Sequence, residues 1–238
     1  MVGGTVVRFH PRSPQAALSL HGWRSRYNLK TMLVLASASS RRQELLRNAA
    51  IPFTTQPAEV DETPFPGESA RTCAERLAKE KALKIARHHA HAHVLGADTV
   101  VVVDDQILNK PVDVEDALRM LRLLSGRVHQ VITGVCLVNP LPGPQRPLAA
   151  KPPAPAPYTV FTTDDRQLLL ASETTSVTMS EISEAEIREY VATGEPMDKA
   201  GAYAIQGRAS RWIPRIMGDY SNVVGLPVAL VYRMLAGK

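Results

Sequence analysis

The stretch LASASSRRQELL, residues 35–46, sets three serines and two arginines where an apolar run, MLVLA at 32–36, gives way to a helical pattern. A helix N-terminus behind a strand offers unpaired N–H groups and a partial positive charge, and together these favour an anion. Ser37, Ser39 and Ser40 add hydroxyl donors, and Arg41 and Arg42 add planar forks that match phosphate oxygens. The plainer reading makes Ser40 an N-cap with Gln43 closing a capping box, and the arginines surface residues. No GxxxxGK[ST] run occurs in the chain, so this phosphate cradle would differ from a P-loop.

Two charges stand where apolar residues belong. Asp98 interrupts VLGADTVVVV (94–103), which reads as a largely buried strand. A carboxylate there costs several kcal/mol, roughly, unless it is paired, hydrogen-bonded or on a metal. Either a neighbour such as Thr99 satisfies it, or it is a catalytic or metal-binding group. Lys81 falls at the centre of the helix face formed by Ala74, Leu77, Ala78 and Ile85. It either snorkels to water or reaches into a cleft toward an anion. Lys110, before Pro111, is a second cation candidate, and Asp61–Glu62 form an acidic pair ahead of a Pro/Gly loop. HHAHAH (88–93) offers His89 and His93 four apart, but it reads as a solvated helix end without carboxylate partners. DKAGAYAIQG (198–207) opens on an acid–base pair, Asp198–Lys199, and carries a short strand ending in Gln206 before Gly207. The Gln206 amide donates and accepts at once and suits a base edge carrying both a carbonyl and an N–H.

The elements that must position these residues alternate. A strand over 32–37 leads to a helix over 40–49 and an extended segment over 52–60. A long helix over 67–89, the strand at 94–103 and a short strand ending near Lys110 follow. Next come a helix capped by Asp113 and ended by Gly126, strands over 128–138 and 168–179, and a helix with the Ser183–Glu186 capping box. A strand over AYAIQ and a helix near 226–236 close the chain. Mixed elements without internal repeats predict an α/β fold with a mixed sheet.

Composition sets the outer bounds. Hydrophobic residues make up 45% of 238, enough for a substantial core, and no run approaches a membrane span. Cys73 and Cys136, without metal-ligand spacing, fit a reducing interior, and the cytoplasm is the expected location. The formal charge of +5 belongs to residues 1–31, which hold Arg8, Arg12, Arg24, Arg26 and Lys30 and no acidic residue. The rest is balanced, which argues against a nucleic-acid partner. Residues 1–31 read as a basic extension or a transit peptide, and 32–238 as the domain. Within it, 139–157 holds eight of the eighteen prolines and reads as a surface insertion.

In this order, LASASSRRQELL, RLAKEKA, LGADTVV, LNKP, LSGRVHQVITGV, DKAGAYAIQG and VVGLP resemble the Maf (septum-formation-inhibitor-like) family of nucleoside triphosphate pyrophosphatases, from Met32 to about Leu235. The longer insertion and the basic tail depart from its pattern without touching a motif. The resemblance implies a twisted mixed sheet with flanking helices around a nucleotide cleft, as in inosine-triphosphatase-like folds. It also implies hydrolysis of a triphosphate to the monophosphate and pyrophosphate. DKAGAYAIQG is similar to the subgroup acting on dTTP and UTP; the alternatives are other base specificities, such as methylated GTP or ITP, or a non-catalytic regulator of cell division. Carried over by position, Ser37, Ser39, Arg41, Arg42, Lys81 and Lys110 serve the phosphates and Gln206 the base. Glu62, Asp98 and Lys81 would act in catalysis, the two carboxylates holding Mg²⁺ or Mn²⁺, since hard cations prefer carboxylate oxygens. The resemblance leaves room for a homodimer.

Overall fold

The computed structural model describes residues 32–141, 157–163 and 165–237. The basic extension and most of the proline-rich insertion lie outside the described residues. β1 (Leu33–Leu35) runs into α1 (Ser40–Asn48), then β2 (Phe53–Thr55), α2 (Ala70–Ala86), β3 (His93–Val103) and β4 (Gln106–Leu108). α3 (Val114–Leu124), β5 (Val128–Pro140), β6 (Thr159–Thr162), β7 (Arg166–Thr178) and α4 (Glu184–Ala192) follow. β8 (Arg215–Met217), α5 (Tyr220–Val224) and α6 (Val228–Ala236) complete the order. The eight strands form one mixed sheet, ordered β2-β1-β3-β5-β7-β6, with β4 hairpinned onto β3 and β8 on β7. β1 pairs in parallel with β2 and β3; the remaining pairs are antiparallel. The α/β reading holds.

The long pairing of β3 with β5 and β7 is the spine, and the helices take their places from its pleat. On one face lie Val94, Cys136 and Val138, under Ala78, Ala82 and Ile85 of α2. On the other, Leu95, Ala97, Val135 and Leu137 pack with Leu46 of α1 and Leu230, Val231 and Met234 of α6. A third cluster joins the far end of β3 to α3 and α4 through Val101, Leu118, Leu121, Ile187 and Tyr190. α2 lies unusually close to the sheet because glycine faces it. A Cβ at Gly96 would fall 2.2 Å from the Ala78 carbonyl oxygen, and one at Gly134 would fall 2.3 Å from that of Ala74.

Several elements differ from expectation. α2 begins at Ala70, capped by Ser69 and preceded by a turn at Gly67 with positive φ, and it ends at Ala86 rather than at 89. Only Phe53–Thr55 of the segment 52–60 pairs as a strand. β5 runs through Asn139 and Pro140, so the insertion begins later than 139; pairing with β3 stops at Val138, so Pro140 sits where β5 is a sheet edge on that side. AYAIQ is no strand. Gly201 and Ala202 have φ of 69° and 58° and curl the chain, and Ala202 and Tyr203 are buried in a coil rather than paired in a ladder. β6 and β8 were not expected, being short and mostly exposed.

Replacing Gly134 with Ala is expected to cost about 1–3 kcal/mol, because the new methyl meets helix backbone that cannot rotate away. Urea unfolding checks this, and an unchanged midpoint would mean that α2 is not held by this contact.

Candidate active site

Side chains alternate across a strand, and β3 uses both of its faces. Asp98 shares the face of Gly96 and points toward α2, while Thr99 points toward α1 and α5. Across the β3–β5 ladder Asp98 stands opposite Gly134, where the α2 backbone comes closest to the sheet. Asp98 is only 7% exposed, and its Oδ1 accepts a hydrogen bond from Lys81 Nζ at 2.5 Å. Lys81 does not snorkel. At 6% exposure it turns inward and also donates to Glu62 Oε1 at 2.6 Å. Glu62 Oε2 accepts from Lys110 Nζ at 3.0 Å, which completes a row of alternating charges from the sheet to the rim. Thr99 plays no part in satisfying Asp98: its hydroxyl meets Thr133 and the guanidinium of Arg42.

Glu62 is held in place by its loop. Arg76 on α2 binds Glu68 at 2.7 Å and the Thr63 carbonyl at 3.1 Å, and its guanidinium lies 3.9 Å from the Phe65 ring centroid. Partial burial alone would raise the Glu62 carboxyl. The hydrogen bonds and charges of Lys81 and Lys110 outweigh it and hold the pKa down to about 2.

The anion corner is organised differently from the Ser40–Gln43 reading. Ser39 is the N-cap: its backbone is extended and its hydroxyl accepts from the Arg42 N–H at 3.4 Å. Ser40 is already helical, and the Gln43 amide reaches the Ala38 carbonyl instead. Ser37 is buried and accepts from Ser39 N and Arg42 Nη1. Arg42 spends three of its five N–H groups inside the protein, on Ser37, Thr99 and, at 2.7 Å, the Gly225 carbonyl. Desolvation lowers its pKa, against the opposing charge of Asp98, yet the guanidinium stays charged. Arg41 leans across the opening to Asp198, 3.4 Å away.

Gln206 is exposed in a turn closed by Gly207 N donating to the Ala204 carbonyl at 3.0 Å. Among the described residues its amide has no protein partner. Ser37, Ser39, Arg41, Arg42, Glu62, Lys81, Asp98, Lys110 and Gln206 all line one cavity of about 530 Å³, within the size range of small-molecule sites. The cavity walls also include Thr99, Asn109, Asp198, Lys199 and Gly225, which the sequence reading did not assign. Strand alternation beside Asp98 could have flagged Thr99, and Asp198–Lys199 already stood out as an acid–base pair. Nothing in VVGLP announces that Gly225 lends its carbonyl to Arg42.

The histidine run lies elsewhere. His93 opens β3 and meets Asn139 Oδ1 at 2.6 Å, and burial lowers its pKa. His89 meets Gln56 Oε1 at 2.6 Å. The solvated-terminus reading therefore fits His88 and His91 but not these two, which strand formation and side-chain amides draw in. Among the described residues no group of three or more His, Cys, Asp or Glu is gathered to hold a metal ion.

The chain belongs to the Maf-like protein family, whose model matches residues 32–238. It is 49% identical over 210 residues to a protein of Koribacter versatilis named dTTP/UTP pyrophosphatase, a match covering 88% of this chain and 96% of that one. A protein of the same name from Syntrophomonas wolfei is 46% identical, with 86% of this chain and 96% of that one covered. A third, from Symbiobacterium thermophilum, is 47% identical, with 85% and 92% covered.

Because its folded pKa is depressed, ionised Glu62 contributes stability that is complete above its ordinary value of 4.5 and fades as pH falls toward about 2. Glu62→Gln should therefore be less stable than the parent at neutral pH and converge with it near pH 2. Denaturant midpoints across that range test this, and a constant gap at every pH would contradict it.

Proposed function

We propose that this chain hydrolyses dTTP and UTP to the nucleoside monophosphate and pyrophosphate. The observation that carries the reading is the cavity itself. Arg41, Arg42, Lys81, Lys110, Glu62, Asp98 and the N-terminus of α1 line it together with Gln206, whose amide is unengaged. The relatives' names give the same activity. The triphosphate lies against Arg41, Arg42, Lys81 and Lys110, which neutralise charge as it develops on the phosphoryl oxygens. Gln206 reads the carbonyl and N–H that uracil and thymine share.

The two carboxylates fit a hard divalent cation, Mg²⁺ or Mn²⁺. Glu62 and Asp98 both touch one ammonium nitrogen and so stand side by side, and Mg²⁺ is typically held by one or two carboxylates completed by water and substrate phosphates. When bound, the cation supplies further charge neutralisation and polarises a phosphoryl oxygen. Asp98 Oδ2 has no protein donor among the described residues. In this reading that oxygen takes a proton from the water that attacks the α-phosphorus.

The cytoplasm remains the expected location. Cys73 and Cys136 are free and buried, burial pushes their thiols up to about 11 and about 12, and among the described residues no helix is long and apolar enough to cross a membrane. A homodimer belongs to this reading by family likeness alone.

The test is a panel of dTTP, UTP, GTP, methylated GTP and ITP with Mg²⁺ or Mn²⁺, assayed for pyrophosphate against orthophosphate. Pyrophosphate should come from dTTP and UTP and be lost on chelation. Asp98→Asn, which keeps an acceptor for Lys81, should fold normally and lose at least about 100-fold in kcat. Arg41→Ala should raise KM about 10- to 100-fold. Wild-type turnover by Asp98→Asn would sink the mechanism, and no turnover with any nucleotide would return the chain to a non-catalytic role.

A further inference from the structure

The turn that carries Gln206 is suspended from two residues that do not border the cavity. Tyr190 of α4 is fully buried, its ring edge-on to Trp212 with centroids 5.3 Å apart. Its hydroxyl donates to Glu195 Oε1 at 2.9 Å and accepts from the Ala204 N–H at 3.1 Å. Glu195 Oε1 also accepts from the Arg208 N–H at 3.1 Å. One tyrosine–carboxylate pair thus holds both ends of the segment from Ala204 to Arg208, with Gln206 at its middle.

The carboxylate is also pressed onto the turn. A Cβ at Gly207 would fall 2.0 Å from Glu195 Oε1, so the residue after Gln206 must be glycine for the carboxylate to reach past it. Glu195 is itself braced: its N–H donates to Thr193 Oγ1 at 3.2 Å, and its carbonyl accepts from Lys199 Nζ at 2.6 Å. A surface turn needs no such anchorage for stability. The segment would tolerate looser tethering if Gln206 did not have to stand at a fixed place on the cavity wall.

We propose that Tyr190 and Glu195 are positioning residues for base selection, fixing where the Gln206 amide meets the base without touching substrate themselves. The proposal rests on the reading of Gln206 as the base contact. Discrimination requires a polar group held where the correct partner satisfies it and the wrong one leaves it unpaired. A turn free to shift would relax that demand, weakening correct binding and sparing wrong bases.

The experiment compares kcat and KM for UTP and CTP, whose base edge reverses the carbonyl and N–H for an N–H₂ and a ring acceptor, in the full chain carrying Tyr190→Phe, Glu195→Ala, Glu195→Gln or Gln206→Ala, with thermal melts alongside. Tyr190→Phe leaves the Ala204 N–H unpaired, and Glu195→Ala releases Arg208. Each should lower the UTP-to-CTP ratio of kcat/KM about tenfold, with the loss falling on KM for UTP. Glu195→Gln keeps an acceptor oxygen and should retain most of the ratio. If Gln206→Ala lowers the ratio while Tyr190→Phe and Glu195→Ala leave it unchanged, the positioning role is overturned and the base contact stands. An unchanged ratio in Gln206→Ala overturns both. Equal losses toward both nucleotides in the Tyr190 and Glu195 variants would mark a merely structural role. Should Glu195→Ala not fold, Tyr190→Phe decides alone.

Discussion

The ammonium of Lys81, held between Asp98 and Glu62, is the interaction around which the site is arranged. A buried carboxylate on a central strand is unfavourable unless a partner is fixed beside it, and the partner must come from another element. α2 supplies it. Two glycines, Gly96 and Gly134, let the helix backbone settle onto β3 and β5 through Ala74, Ala78 and Ala82, and that close approach sets the reach from Lys81 to Asp98. A bulkier residue at either glycine would lift the helix and draw the ammonium away from the carboxylate it neutralises.

The pleat of β3 then divides the work. Asp98 faces the side of α2, where the acidic groups and Lys81 gather, and Thr99 faces Arg42 and the loop at Gly225. The anion corner at the start of α1 and the ion-paired row are thereby fixed to consecutive residues of one strand. This short linkage lets a cavity built from loops keep a defined charge pattern. The row is not inert. Lys81 and Lys110 now satisfy the carboxylates, and an incoming triphosphate would compete for the same two cations, while a divalent ion would take over the carboxylate oxygens they release.

Much of this could be read from the sequence, for a specific reason. Asp98 and Lys81 are charges placed where periodicity demands apolar residues, and burial forces such charges to find each other or a ligand. Gln206 was legible as chemistry but not as structure. AYAIQ has the apolar content of a strand because Ala202 and Tyr203 are buried, yet positive φ at Gly201 and Ala202 makes the segment a turn. β6 and β8 are not legible, because three- or four-residue edge strands with mostly exposed side chains carry no alternating pattern. The cap falls on Ser39 rather than Ser40, since adjacent serines look alike in sequence and differ only in backbone angle. The second side of Arg42, its bond to a glycine carbonyl 183 positions away, is a property of the fold alone.

Hydrolysis of UTP in ¹⁸O-labelled water, with the products separated and weighed by mass spectrometry, tests the central claim most directly. A cavity that grips the phosphates with Arg41, Arg42, Lys81 and Lys110 and delivers water from Asp98 to the α-phosphorus must place the label in UMP and leave pyrophosphate unlabelled. Label in pyrophosphate would put the attack on the β-phosphorus and contradict the account.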